Sequence, residues 1–297
     1  VNLFKNQYLL VENGIKILTI AKLIQCWKQN IKFNNQINTK MKKTIFFLST
    51  ILLVGFSSCS SDDDSTPNPS SDILVKKVIY QEEGGFNEEI TFTYNGTKLV
   101  QGVYDDGTIE KYYYTGDLIT KIEYVFEGEV EDQDLFAYDS EGRLVEHKYQ
   151  DLIDDFEDKS LFVYNDNNTI TKTNITGAIG NSQTTGFTST LTIQNNEISS
   201  IVQTGGLTYT YTYDAKNSPF KNVTGYSEIA YSIQGDFELH GNTRNIITIT
   251  ENNSSYTSNT ITYNSSDYPV SIVSQAYFDA QNFPNVFEIM TVQFIYE

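Results

Sequence analysis

The sequence predicts an all-β fold from residue 73 onward: an antiparallel meander of serial β-hairpins, strongly curved or barrel-like. Three observations predict it. The chain holds 21 Tyr and 18 Phe against one Trp and two Met, and aromatic and β-branched residues fit the pleated, half-buried surface of a strand. A single unit recurs along the chain: an alternating strand ending in Tyr, a polar turn, then an aliphatic residue opening the return strand. No helical periodicity of useful length appears after residue 72.

The copies read in order as "ITFTYNGTKLVQGVY", "KYYYTGDLITKIEY", "LFAYDSEGRLVEHKY" and "LFVYNDNNTITKT". A degenerate "LTIQNNEISSIV" follows, then "YTYTYDAKNSPFKNV", a weaker "FELHGNTRNIITIT" and "NTITYNSSDYPVSIV", with "TVQFIY" closing the chain. The turn tyrosines are Tyr94, Tyr114, Tyr138, Tyr164, Tyr213 and Tyr263, with Ile193 substituting once. Within a strand the period is two: Ile90, Phe92 and Tyr94 share a face, as do Tyr209, Tyr211 and Tyr213, and Val292, Phe294 and Tyr296. Asn95-Gly96, Thr115-Gly116 and Asn167-Asn168 supply the positive φ of tight hairpins. Pro219 and Pro269 fall just after turns, at strand starts where a missing donor is tolerated. About 16 strands follow from this count, and a sheet that wide must curl, split or close to manage its edges.

The region ahead of the repeats reads as an address. Met41-Lys42-Lys43 is a short basic segment, and Thr44 to Phe56 is an apolar run too short to span a bilayer as a helix. Ser57 and Ser58 precede Cys59. This arrangement resembles a bacterial lipobox, which implies cleavage before Cys59 and diacylglycerol on its thiol. The residues after it, Ser60, Ser61, Asp62, Asp63 and Asp64, resemble the export signal of Bacteroidetes-type surface lipoproteins. The expected organisation is therefore an upstream extension over 1–40, a lipoprotein signal peptide over 41–58, and a lipidated Cys with an acidic Ser/Pro tether over 59–72. A repeat-built β domain then fills 73–297. Translation is expected to start at Met41; the alternative is an authentic extension with an amphipathic helix around Ile15 to Trp27.

One repeat carries a further resemblance. "YDSEGRL", Tyr138 to Leu144, resembles the YD repeat of Rhs and teneurin-type proteins, while the other copies keep only the aromatic–turn–aliphatic frame. The whole body, with "YDAKNSPF", "RNI" and "YNSSDYPV", looks like a family of Bacteroidetes lipoproteins of unknown function with a porin-like fold. That resemblance implies a β-meander and an envelope location, and brings no catalytic residues with it.

Charge narrows the function classes. Residues 1–58 hold eight of the 20 basic residues and one of the 38 acidic ones, so the remainder carries 12 against 37, a net charge of −25. Such a body repels nucleic acid, and no nucleic-acid partner is expected. Cys26 and Cys59 are the only cysteines, which removes disulfides, a zinc cluster and a thiol nucleophile from the body. The two histidines, His147 and His240, stand isolated among strand residues and read as solvent-facing; neither takes part in a metal or triad motif. No cofactor is expected, with calcium as the one candidate. Two acidic runs read as longer connections that could supply oxygen ligands: Glu127, Glu129, Glu131, Asp132 and Asp134, then Asp154, Asp155 and Asp158. Neither has EF-hand spacing.

The leading expectation is a non-enzymatic outer-membrane lipoprotein facing the cell exterior. It would meet the membrane through its lipid anchor and an envelope protein or glycan through its β domain. An extracellular glycan-processing or hydrolase accessory is the first alternative, and carboxylates gathered in one groove beside tyrosines would favour it. The second alternative, a membrane-embedded β-barrel, needs an outward apolar band, whereas the alternate strand positions here are Thr, Ser, Asn, Glu and Lys.

Overall fold

The computed structural model describes residues 73–83, 85, 87–181, 183–233, 239–277 and 286–297. The extension, signal peptide, Cys59, Ser60–Asp64 and the tether lie outside the described residues. Sixteen strands follow one another: β1 (Val75–Glu82), β2 (Asn87–Asn95), β3 (Lys98–Tyr104), β4 (Ile109–Thr115), β5 (Leu118–Phe126), β6 (Glu129–Tyr138), β7 (Leu144–Asp151) and β8 (Phe156–Asn165). Then come β9 (Thr169–Gly177), β10 (Gln183–Gln194), β11 (Glu197–Gln203), β12 (Thr208–Tyr213), β13 (Ile246–Glu251), β14 (Ser254–Tyr263), β15 (Pro269–Tyr277) and β16 (Val286–Tyr296). Each pairs antiparallel with its sequence neighbours, and β1 closes on β16 with Val78 opposite Phe294. The meander is a closed barrel, which leaves no unpaired sheet edge.

The expected turns carry positive φ at Gly96, Gly116 and Asn168. Strands that end in a repeat tyrosine keep the expected period of two, whereas most return strands do not. The register shifts at Tyr94, Tyr114, Tyr138, Ile193, Tyr213 and Tyr263, so one extra residue (Val100, Thr120, Val145, Ser199, Ile247 or Val270) bulges from the facing strand. The bulge turns the inward spacing from i, i+2 to i, i+3. Ile119 and Ile122 therefore both face inward, as do Ile246 and Ile249.

A bulge breaks the ladder and strands backbone groups, and here the repeat tyrosines supply partners. Tyr94 donates to the Val75 carbonyl at 2.7 Å, Tyr138 to Ile119 at 2.6 Å, Tyr164 to Leu144 at 3.0 Å and Tyr213 to Ile198 at 2.8 Å. Tyr296 donates to the Pro269 carbonyl at 2.6 Å, and the Tyr114 hydroxyl accepts from the Leu99 N–H at 3.0 Å. Each of these bonds ties a tyrosine to the aliphatic residue that opens the preceding return strand. Of these partners Val75, Leu99, Ile119 and Leu144 are fully buried, each side chain contributing about 1.5–3 kcal/mol.

One segment departs from the hairpin expectation. Between β12 and β13 the chain does not turn back at "YDAKNSPF" but inserts residues 214–245, which include the helix α1 (Tyr226–Ile233). Pro219 therefore lies in this insertion rather than at a strand start, while Pro269 does open β15. The helix is only eight residues long, marginal by itself, and packing holds it: Ile229 and Ala230 are buried. Tyr231 on the same helix bonds the Tyr164 hydroxyl at 2.9 Å. Phe220 packs edge-on against Phe92 of β2, and Thr224 N–H donates to the Thr97 carbonyl in the β2–β3 turn. The insertion thus plugs the end of the barrel that carries the tyrosines.

Candidate functional site

Counting back by twos from each repeat tyrosine follows the inward face away from the plugged end, and its chemistry changes. Tyr94, Phe92 and Ile90 lead to Glu88; Tyr114 and Tyr112 lead to Glu110; Tyr138 and Phe136 lead to Asp134 and Asp132. Carboxylates from β2, β4 and β6 therefore point into the barrel beside aromatic rings. Outward positions on β4 to β8 form a polar row, Lys111, Glu123, Gln133, Gln150 and Glu157, each opposite the next, with Gln150 and Glu157 buried within it.

A chamber of about 190 Å³ lies inside, lined by Tyr80, Tyr104, Glu110, Tyr112 and Tyr124 from the wall and by Phe220, Tyr226 and His240 from the insertion. Glu110 accepts hydrogen bonds from the hydroxyls of Tyr104 and Tyr112, the latter at 2.9 Å. Room for its carboxylate depends on Gly102 in β3: a Cβ there would lie 2.9 Å from the Phe92 ring and 3.1 Å from Glu110 Oε2. Tyr124 donates to Asp134 at 3.0 Å, and Asp134 also bonds His147 Nε2 at 2.7 Å. The His147 ring stacks on Phe136 at 4.8 Å. Farther along, Tyr149 donates to Asp132 at 2.8 Å.

Burial dominates the protonation of these groups. Desolvation, reinforced by Asp105, Asp106 and Glu110, pushes Glu88 from 4.5 up to about 7. Desolvation also raises Asp132 from 3.8 to about 6, with Tyr149 acting in the opposite direction and Asp151, Glu131 and Asp134 adding to the rise. Glu110 is raised by burial against the pull of its two tyrosine donors, and burial lowers His240. The folded chain therefore holds protons on Glu88 and Asp132 that the unfolded chain releases at lower pH. Their contribution to stability is complete below the unfolded pKa values and is lost as pH rises through about 6 and 7. The melting temperature is expected to fall from pH 5 to pH 8, and Glu88→Gln to flatten that fall. An unchanged slope in the variant would show that Glu88 is not its source.

The structure relocates several sequence-derived candidates. His147 is 8% exposed and inside the barrel, because the bulge at Val145 shifts the facing of β7. His240 packs in the insertion against Phe220 and Tyr226. Both corrections replace the solvent-facing reading. The acidic runs are not long connections either. Glu127 lies in a two-residue turn with Gly128, both at positive φ, while Glu129, Glu131, Asp132 and Asp134 belong to strand β6. Asp132 and Asp134 face inward, while Glu131 is the unpaired bulge residue between Val130 and Asp132, so the set is not presented as one loop of ligands. Asp154 and Asp155 occupy the exposed β7–β8 turn, and Asp158 is in β8. Among the described residues no group of three or more His, Cys, Asp or Glu side chains is arranged to hold a metal ion. Sequence reasoning misses Glu88, Glu110 and the chamber tyrosines; the count by twos reaches Glu88, Glu110 and Tyr112, whereas Tyr80, Tyr104 and Tyr124 lie on β1, β3 and β5 and Tyr226 on the insertion helix.

No family model matches the chain, and no match is found among the curated proteins. Among solved structures it is similar to a porin-like protein from Bacteroides uniformis ATCC 8492. The two share 14% identity with a TM-score of 0.45, over 75% of this chain and 96% of that one.

Proposed function

We propose that the protein is a cell-surface lipoprotein of the outer membrane, anchored through Cys59, whose solvent-facing barrel is a non-enzymatic binding module. The observation that carries this reading is the distribution of polarity across the barrel wall. Lys121 pairs with Glu123 at 2.6 Å and Lys148 with Glu146 at 2.9 Å on the outward face, while the fully buried aliphatic side chains point inward. An embedded barrel has the opposite arrangement, and an outward Lys or Arg at the bilayer midplane costs about 2–4 kcal/mol. The acyl chains on Cys59 then hold the molecule, at about 0.8 kcal/mol per buried methylene, and the acidic Ser/Pro tether spaces the barrel from the membrane. The ligand site is the tyrosine–carboxylate chamber.

Metabolic labelling with a clickable fatty acid tests the anchor. Wild type is expected to take up label and Cys59→Ala to take up none; an unlabelled wild type removes the lipoprotein reading. Protease accessibility of the barrel on intact cells tests the exposure.

A second reading has its own observation. Glu88, Glu110, Asp132 and Asp134 converge on one interior beside tyrosines, the arrangement that favours a glycan-processing accessory, since glycoside hydrolysis uses a pair of carboxyl groups, one of them with a raised pKa. Release of reducing sugar from an extracellular polysaccharide, abolished by Glu110→Gln, would establish it in place of the binding module.

A further inference from the structure

We infer that the chamber takes a compact organic cation, an alkylammonium or quaternary ammonium group, seated among the tyrosine rings beside the Glu110 carboxylate. The inference rests on the chamber being the ligand site of a binding module, and adds the class of ligand.

Four observations carry it. The first is size: the chamber offers about 190 Å³, whereas a cavity of roughly 150 Å³ already admits a benzene-sized molecule. The second is the wall, where rings from β1, β3, β4 and β5 face those of Phe220 and Tyr226 on the insertion. Aromatic faces attract a cation through their quadrupole, most strongly where water is excluded. The third is charge. Glu110 is bonded to two neutral phenols, and the acidic neighbours that act on this part of the interior, Glu88 and Asp134, have the same sign. No Lys or Arg lines the chamber among the described residues. The fourth is a pair of spare groups. The Tyr80 and Tyr226 hydroxyls line the chamber and have no hydrogen-bond partner among the described residues, so both can face a ligand. Burial raises the pKa of both and keeps them as neutral phenols. The −25 body adds a long-range field that draws cations.

A neutral guest of the same shape would leave the carboxylate uncompensated, and an anion would be repelled by it. The chamber chemistry therefore selects for positive charge, and the rings select for alkyl groups on the charged atom over a hydrated inorganic ion.

The test is calorimetric titration of the full chain at pH 8 and constant ionic strength with tetramethylammonium chloride. The comparison probe is neopentyl alcohol, close in shape and uncharged. Tetramethylammonium is expected to bind saturably at one site and the alcohol at least tenfold more weakly. Glu110→Gln, which keeps the shape and the tyrosine contacts, should weaken the cation at least tenfold. Glu146→Gln on β7, outward-facing, should change it less than twofold. Tyr80→Phe should keep binding within about threefold, while Tyr80→Leu, which removes the ring, should weaken it more. Near-ultraviolet circular dichroism confirms that each variant is folded. Equal binding of cation and alcohol, or a folded Glu110→Gln that binds the cation as wild type does, overturns the cation inference and leaves the chamber as a ligand site. If neither probe nor a panel of soluble sugars binds, the binding-module reading falls as well.

Discussion

Glu197→Ala is expected to lower the unfolding free energy by about 3 kcal/mol, a large loss for one exposed-looking acid in a turn. The residue opens β11 in the degenerate repeat copy, yet it is only 2% exposed. Its carboxylate accepts from the Asn242 N–H at 2.7 Å, the Thr243 N–H at 2.9 Å and the Thr243 hydroxyl at 2.8 Å. These three bonds close the end of the insertion onto the barrel. Gly241 shows how tightly: a Cβ there would overlap the Glu197 carboxylate and lie 2.6 Å from the Tyr213 ring. Removing the carboxylate leaves two backbone donors without an acceptor, a cost beyond the bonds themselves. Glu197→Gln, which keeps one carbonyl oxygen, should fall between wild type and Ala. Urea unfolding gives the magnitudes, and amide hydrogen exchange should show Asn242 and Thr243 losing protection before the strands do. A loss under about 1 kcal/mol would mean that the insertion is held by its apolar contacts and its other hydrogen bonds, those of Thr224 and Tyr231 among them.

The insertion also marks the limit of what the sequence makes legible. Hairpins, their turns and the number of strands follow from the repeat, because period-two strands with Asn/Gly turns leave few other folds. The helix does not. "YSEIAYSI" has the composition of the strands around it, and eight residues are too few for a 3.6-residue period to stand out. What makes it helical is tertiary: a short segment gains more by burying Ile229 and Ala230 in the barrel mouth than by extending the sheet.

The bulges hide the return strands in the same way. Strict alternation from Leu144 through Glu146 and Lys148 puts His147 on the outer face, and one extra residue at Val145 turns it inward to Asp134. A bulge has no residue signature of its own here, since Val, Thr, Ser and Ile all occupy it. The candidate site is more legible than these details suggest. Glu88, Glu110, Asp132 and Asp134 lie on the tyrosine-ending strands, where alternation is unbroken from the tyrosine back to each of them, so their facing follows from the repeat tyrosine. What alternation cannot supply is convergence, which needs β2, β4 and β6 to curve around one interior.

Ile119→Ala should cost roughly 2–5 kcal/mol, as large-to-small changes do where the surroundings cannot collapse, while Val163→Ala should stay within about 0.5 kcal/mol. Both positions are aliphatic residues of tyrosine-linked hairpins; alternation from Tyr164 sends Val163 outward, and the bulge at Thr120 leaves Ile119 inward. The structure gives the size of the contrast: Ile119 is 0% exposed and Val163 is 59% exposed. Collapse around Ile119 is hindered on two sides. Its carbonyl is fixed by the Tyr138 hydroxyl, and the Gly225 backbone of the insertion packs against its side chain. The same pair of variants distinguishes the two directions in which a barrel can be built. In a barrel standing in water the inner aliphatic position carries the stability and the outer one is free, whereas in a barrel standing in lipid the outward valine would belong to the apolar band. Denaturant unfolding of the two variants in aqueous buffer reads the difference directly. A costly Val163→Ala beside a cheap Ile119→Ala would reverse the assignment of the faces and, with it, the proposal that the barrel is held at the membrane only by its lipid.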